Sequence, residues 1–123
     1  MPNKKILCFD LDNVICKTFN NDYEKSEPYQ HTIKLINNLY NSKKYKIKIY
    51  TARGMGTYKG NVKKVNKKFY LFTKNQLKNW KLKYHELILG KISYDVFVDD
   101  KSFGFKKNWH VSFKKKYLKS HNE

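Results

Sequence analysis

Lys5-Ile6-Leu7-Cys8-Phe9-Asp10-Leu11-Asp12 is a short apolar run that ends abruptly in two carboxylates. The pattern returns near the other end, where Val96-Phe97-Val98 runs into Asp99-Asp100. The chain carries only ten acidic residues in 123 and a net charge of +17, yet four of the ten sit in these two pairs. Carboxylates crowded together repel one another, and removing them from water costs more still. A positive group must compensate, and clustered oxygen ligands at a strand end suit Mg²⁺. The pairs point to a metal site that handles phosphate.

The segment leading into the first pair, residues 5–9, reads as a buried strand of a parallel sheet covered on both faces. Residues 13–27 are polar and irregular, a turn and small flap. Pro28 can open a helix, and Ile33, Ile36, Leu39 and Tyr40 then recur at helical spacing. Residues 46–50 alternate as a second strand. A glycine-rich loop over 51–60 precedes a helix over 62–70, and Thr73-Lys74-Asn75-Gln76 has the form of a capping box opening another helix through Trp80. Residues 84–89 and 95–98 complete the strands. This alternation predicts an α/β class: a single Rossmann-like domain spanning 1–123, with a mainly parallel sheet flanked by helices. Ligands of such sheets bind at the carboxyl ends of the strands, where Asp10, Thr51 and Asp99 would converge.

The length suits one domain. The N-terminus has no secretory pattern and no run long enough to cross a membrane. Cys8 and Cys16 have no metal or disulfide spacing, which fits reduced thiols in a cytoplasmic protein. His31, His85, His110 and His121 likewise lack metal-ligand spacing. The positive charge suggests nucleic acid, but its make-up argues against it: of 27 basic residues only Arg53 is arginine, the preferred bidentate reader of phosphate and guanine. The lysines read as a solvated surface that steers anionic substrates.

Asp10-Leu11-Asp12-Asn13-Val14 after a hydrophobic strand resembles the first motif of the haloacid dehalogenase superfamily, with Asn13 in place of the commoner glycine. The strand ending in Thr51-Ala52-Arg53-Gly54 resembles the second motif, Lys91 in Leu89-Gly90-Lys91 the third, and Val96-Phe97-Val98-Asp99-Asp100-Lys101 the fourth. Lys83 and Lys101 are rivals for the third-motif lysine. About forty residues separate the first motif from the second, and as many the second from Lys91, which leaves no room for a cap domain. Thr51-Ala52-Arg53-Gly54, Thr73-Lys74-Asn75-Gln76-Leu77, Tyr84-His85-Glu86-Leu87 and Asp99-Asp100-Lys101 are similar to stretches of the small capless phosphatases that accompany bacterial capsule genes.

The resemblance implies that Asp10 attacks phosphorus to form an aspartyl-phosphate, while Asp12 transfers protons to the leaving oxygen and from water. It implies Mg²⁺ held by Asp10, the Asp12 carbonyl, Asp99 and Asp100, with Thr51 and Lys91 on the phosphoryl oxygens. Arg53 and Gly54 would contact the substrate, although a structural ion pair serves Arg53 as well. The expected activity is a phosphomonoesterase acting on a sugar phosphate, or a phosphate on a nucleotide-sugar adduct, in capsular polysaccharide synthesis. The alternatives are a polynucleotide 3′-phosphatase and a basic nucleic-acid-binding protein without turnover.

Overall fold

The computed structural model describes residues 4–118; His121 lies outside them. The chain divides into two compact units, Met1–Ser93 and Tyr94–Glu123.

The first unit is built on three parallel strands. Strand β1 (Lys5–Phe9) leads into a two-stranded antiparallel flap, β2 (Cys16–Lys17) and β3 (Glu27–Pro28), with a short 3₁₀ turn at Tyr23–Lys25 between them. Helix α1 (Gln30–Asn41) crosses to β4 (Tyr45–Thr51), and helix α2 (Val62–Asn79) crosses to β5 (Glu86–Leu89). The order in the sheet is β1-β4-β5, with Phe9 opposite Ile49 and Thr51 opposite Leu89. Both crossovers step the same way, so right-handed connections set α1 and α2 on one face of the sheet. Burial agrees: Ile47 and Ile49 of β4 are wholly buried with Ile36 and Leu39 of α1 and Leu77 of α2. On the other face Lys48 pairs with Glu86 across β4 and β5 at 3.3 Å. Helices alternating with parallel strands make this a Rossmann-like α/β arrangement, and among the described residues no further domain is inserted between its strands.

Three expectations change. β1 is not covered on both faces: Leu7 and Phe9 are buried, while Ile6 is 54% exposed. Residues 62–79 form one helix, not two. The Thr73–Gln76 pair does not cap a helix; Thr73 is wholly buried in mid-helix and points its hydroxyl at Arg53. The start of α2 is capped instead by Asn61, whose side chain accepts the Lys64 amide at 3.1 Å.

In the second unit, residues 95–98 form no strand. Val96 and Val98 are 79% and 91% exposed. An apolar β-type run becomes a strand only when a neighbouring edge satisfies its amides and carbonyls, and none is paired with it here. Helix α3 (Trp109–Tyr117) follows, with Phe113 packed edge-on against Trp109 and Phe103 at 5.5 and 5.1 Å between ring centroids. Among the described residues no helix is long and apolar enough to cross a membrane.

Candidate functional site

Asp10 leaves the carboxyl end of β1. Its Oδ1 accepts the Leu11 amide at 2.8 Å, and its Oδ2 lies 3.2 Å from the ammonium of Lys91. Lys91 reaches this point from beyond β5, where its own amide donates to the Thr51 carbonyl at 3.2 Å. Gly90 makes that route passable. Its φ is +94°, and a Cβ there would stand 2.9 Å from Val62 Cγ1 at the start of α2. Thr51, at the end of β4, is buried, and its hydroxyl oxygen accepts the Arg53 amide at 3.2 Å, so its hydrogen remains to be donated. Asp10 and Lys91, named from the sequence, thus meet through their side chains, and Lys91 is fastened to Thr51 through the backbone, at the carboxyl ends of the strands.

Asp12 takes a different course. After Leu11 the chain wraps around a single carbonyl: the amides of Val14, Ile15 and Cys16 all donate to Leu11 O. Asn13 adopts a left-handed φ of 66°, which its short polar side chain tolerates. This turn buries Leu11 and Ile15 completely. It brings Asp12 against Arg53, whose Nε is 3.0 Å from Oδ2 and whose Nη2 is 2.9 Å from Oδ1. Thr18 donates to Oδ1 at 2.6 Å, and the Cys16 thiol leans on the same atom at 3.6 Å. Burial pushes the Cys16 thiol up from its ordinary value, so it serves as a weak donor and not as a thiolate.

Of the two roles open to Arg53, substrate contact and structural ion pair, its contacts are those of the ion pair. Arg53 is 1% exposed. A guanidinium has five N–H donors, and all five are engaged. Nε meets Asp12; Nη1 meets Gln76 Oε1 at 2.7 Å and Thr73 Oγ1 at 3.4 Å; Nη2 meets Asp12 and, at 3.5 Å, Ser26 Oγ. The Tyr23 ring closes over the guanidinium carbon at 4.8 Å. No donor is left for an incoming phosphate, so Arg53 is the ion-pair partner of Asp12. The Gly54 amide is also spent, donating to the Tyr23 hydroxyl at 3.2 Å. Removing one partner of a buried ion pair costs about 3–5 kcal/mol, so this cluster matters to the fold as well.

Sequence reasoning missed Thr18, Ser26, Tyr23, Thr73 and Gln76. Thr73 and Gln76 do stand in a stretch similar to the capless phosphatases, but their spacing, three apart on one helix face, reads as a capping box and not as a pair of Arg53 partners.

Asp99 and Asp100 belong to the second unit and do not end a strand. Asp99 forms a local turn in which the Lys101 amide donates to Oδ1 at 3.1 Å, and this bond foremost holds its carboxyl below the usual range. Among the described residues neither unit gathers three or more His, Cys, Asp or Glu side chains into a metal-sized cluster. In the first unit the hard donors at the sheet edge are the oxygens of Asp10 and Asp12, a chemistry that fits Mg²⁺ better than a softer ion.

No family model matches the chain, and no curated protein matches it. A crystal structure of a structure-determination target from Vibrio cholerae is similar, with a TM-score of 0.73 and 27% identity over 91% of this chain and 98% of that one. The similarity supports the α/β fold along nearly the whole length.

Proposed function

We propose that the chain is a Mg²⁺-dependent phosphomonoesterase of the haloacid dehalogenase superfamily. Its substrate would be a phosphorylated precursor of bacterial capsular polysaccharide, a sugar phosphate or a phosphate on a nucleotide-sugar adduct. The observation that carries the reading is the joining of Asp10, Thr51 and Lys91 at the carboxyl ends of β1, β4 and β5. A nucleophile, a hydroxyl donor and a cation at one strand edge are the parts that phosphoryl transfer uses.

In this reading an oxygen of Asp10 attacks phosphorus in line, and the bond to the leaving oxygen breaks as the aspartyl-phosphate forms. Water then attacks the same phosphorus and releases Asp10. Lys91, already beside Asp10, and the Thr51 hydroxyl hold the non-bridging oxygens. Asp12 enters this step as the carboxylic acid, gives its proton to the leaving oxygen, and as the carboxylate later takes one from the attacking water. Its Oδ2 is the atom suited to this: Oδ1 accepts from Thr18 and Nη2, whereas Oδ2 has only Nε at 3.0 Å. Asp10 and the Asp12 carbonyl would hold Mg²⁺, which supplies charge neutralisation at the phosphoryl oxygens. The resemblance would add Asp99 and Asp100 as further ligands.

The test is phosphate release over a panel of phosphosugars, nucleotides and phosphorylated oligonucleotides, with and without Mg²⁺. Fastest release from a phosphosugar or nucleotide-sugar phosphate is expected. Six lysines and no acid on α2 give the second reading, a polynucleotide 3′-phosphatase, its specific support. Fastest release from a 3′-phosphorylated oligonucleotide would select that reading, and no release from any ester would reject both.

A further inference from the structure

We infer that Arg53 is a positioning residue, locking the Asp12 carboxylate and the flap of residues 16–28 into one arrangement and acting on the reaction only through Asp12. The kinetic part rests on Asp12 being the proton-transfer group of the proposed phosphatase; the mechanical part stands without it.

The hydrogen count makes the lock directional. Thr18 Oγ1 has one hydrogen, and it goes to Asp12 Oδ1 at 2.6 Å. The 2.6 Å contact between Thr18 and Ser26 must therefore be donated by Ser26, which leaves the Ser26 lone pairs facing Arg53 Nη2 at 3.5 Å. Arg53 closes the circuit onto Asp12 at 2.9 Å. Asp12, Thr18, Ser26 and Arg53 thus form a closed ring, with the Cys16 sulfur beside it at 3.5 Å from Thr18 Oγ1 and 3.9 Å from Arg53 Nη2.

A second tie fastens the ring to α2. Gln76 uses both ends of its amide: Oε1 accepts from Arg53, and Nε2 donates to the Tyr23 carbonyl, each at 2.7 Å. Tyr23 in turn lies under the guanidinium and receives the Gly54 amide. Flap, α2 and the turn after β4 thus meet at one guanidinium. Only a planar fork reaches Asp12, Ser26, Thr73 and Gln76 together; a lysine ammonium is a point charge with three donors on a flexible stem. Asp12 sits where a displacement of about 1 Å can cost a hundredfold in rate.

Two variants of the full chain test this, Arg53→Lys and the milder Gln76→Leu. Steady-state phosphate release from an aryl phosphate with Mg²⁺ gives kcat and KM, and amide hydrogen exchange compares residues 16–28 with α1. Arg53→Lys is expected to lower kcat roughly a hundredfold with KM within about threefold, and to speed exchange in the flap while α1 stays protected. Gln76→Leu should move both readouts the same way by less, and it decides the matter if Arg53→Lys does not fold. A KM raised more than about tenfold at unchanged kcat would mark a direct substrate contact and overturn the inference. Unchanged kinetics in Arg53→Lys, unchanged flap exchange in both variants, or equal acceleration in flap and α1 would overturn it too. If the wild-type chain releases no phosphate from any ester, the proposed function falls and the exchange measurement alone decides this inference.

Discussion

Lys91 and Asp10 form an ion pair of 3.2 Å in which the lysine side chain is 13% exposed and the aspartate 38%. The pair joins the residue after β1 to one that follows β5, and the Lys91 amide fastens the same point to the end of β4. The ammonium is largely withdrawn from water while the carboxylate keeps a face open to a ligand. Such an exposed-side arrangement suits a nucleophile that must be reached and a cation that must stay put.

Lys91→Met is expected to lower kcat for phosphate release by about 10²–10³, the usual cost of losing one transition-state donor. Lys83→Met should stay within about twofold of wild type on the same scale, because its ammonium is occupied with Asn41 Oδ1 at 3.0 Å on an exposed surface. Equal losses in the two variants would take the phosphoryl role away from Lys91.

Asp10→Asn should abolish release, since an amide is a very poor nucleophile at phosphorus. Asp12→Asn should cost roughly 10²–10⁴, the range for a lost proton-transfer group. The two are separable by trapping: in a rapid-quench experiment Asp12→Asn retains the ability to form a phosphorylated chain, and Asp10→Asn does not. A phosphorylated Asp10→Asn chain would take the nucleophile's role away from Asp10.

The proposed Mg²⁺ dependence makes its own prediction. Excess chelator should stop phosphate release, Mg²⁺ should restore it, and Ca²⁺ should restore it poorly because its larger and looser coordination disturbs in-line geometry. Asp99→Ala and Asp100→Ala should raise the Mg²⁺ concentration needed for half activity without lowering the melting temperature, because both side chains are exposed. Full activity in chelator would remove Mg²⁺ from the reaction.

The sheet was legible because its strands announce themselves locally: residues 5–9, 46–50 and 84–89 fall within a residue or two of β1, β4 and β5. The same local reading failed wherever a distant partner decides the outcome. Residues 95–98 have strand composition but no paired edge, and composition cannot supply one. Thr73 and Gln76 look like a cap because capping is a short-range pattern; their partner Arg53 lies 20 and 23 positions earlier. The lone arginine is plain in the sequence, but whether its donors face solvent or the half-buried carboxylate of Asp12 depends on residues of the flap and α2 far from it in the chain. Asp10, Thr51 and Lys91 could be named because strand ends are local and the parallel topology brings them together.

Gly54→Ala tests the packing of the turn after β4. Gly54 has φ +78°, and a Cβ would lie 2.6 Å from the Phe69 ring on α2. Phe69 cannot withdraw freely, because Tyr23 stands edge-on to it at 5.5 Å. Left-handed strain and overpacking together are expected to cost about 2–4 kcal/mol in denaturant unfolding. Gly56→Ala is the control: its φ is not left-handed and nothing lies within 4 Å of the added methyl. It should change stability by under about 0.5 kcal/mol. Similar losses in both variants would show that the turn fails for a reason other than the Phe69 contact.

The last expectation concerns acid. The Ile47 amide donates to His85 Nδ1 at 2.9 Å, and the His85 amide donates to the Ile47 carbonyl at 2.9 Å, so this histidine extends the pairing of β4 and β5 with its side chain. A ring nitrogen that accepts an N–H cannot carry a proton, so the bond needs neutral imidazole. Tyr40 stacks on the ring at 4.5 Å, and desolvation first, then the charges of Lys4 and Lys46, hold its pKa below the ordinary histidine value. The sign follows: the folded state resists protonation more than the unfolded chain does. The bond's contribution is therefore complete above the unfolded value of about 6.5 and is lost as pH falls through the lower folded value. The ring is exposed, so the effect should stay under about 1 kcal/mol. His85→Asn supplies a carbonyl acceptor that does not titrate near neutral pH. Urea unfolding at pH 7.5 and at pH 5 should show the wild type losing stability relative to His85→Asn on acidification. A constant difference between the two chains at both pH values would mean that protonation of His85 does not break the β4–β5 junction.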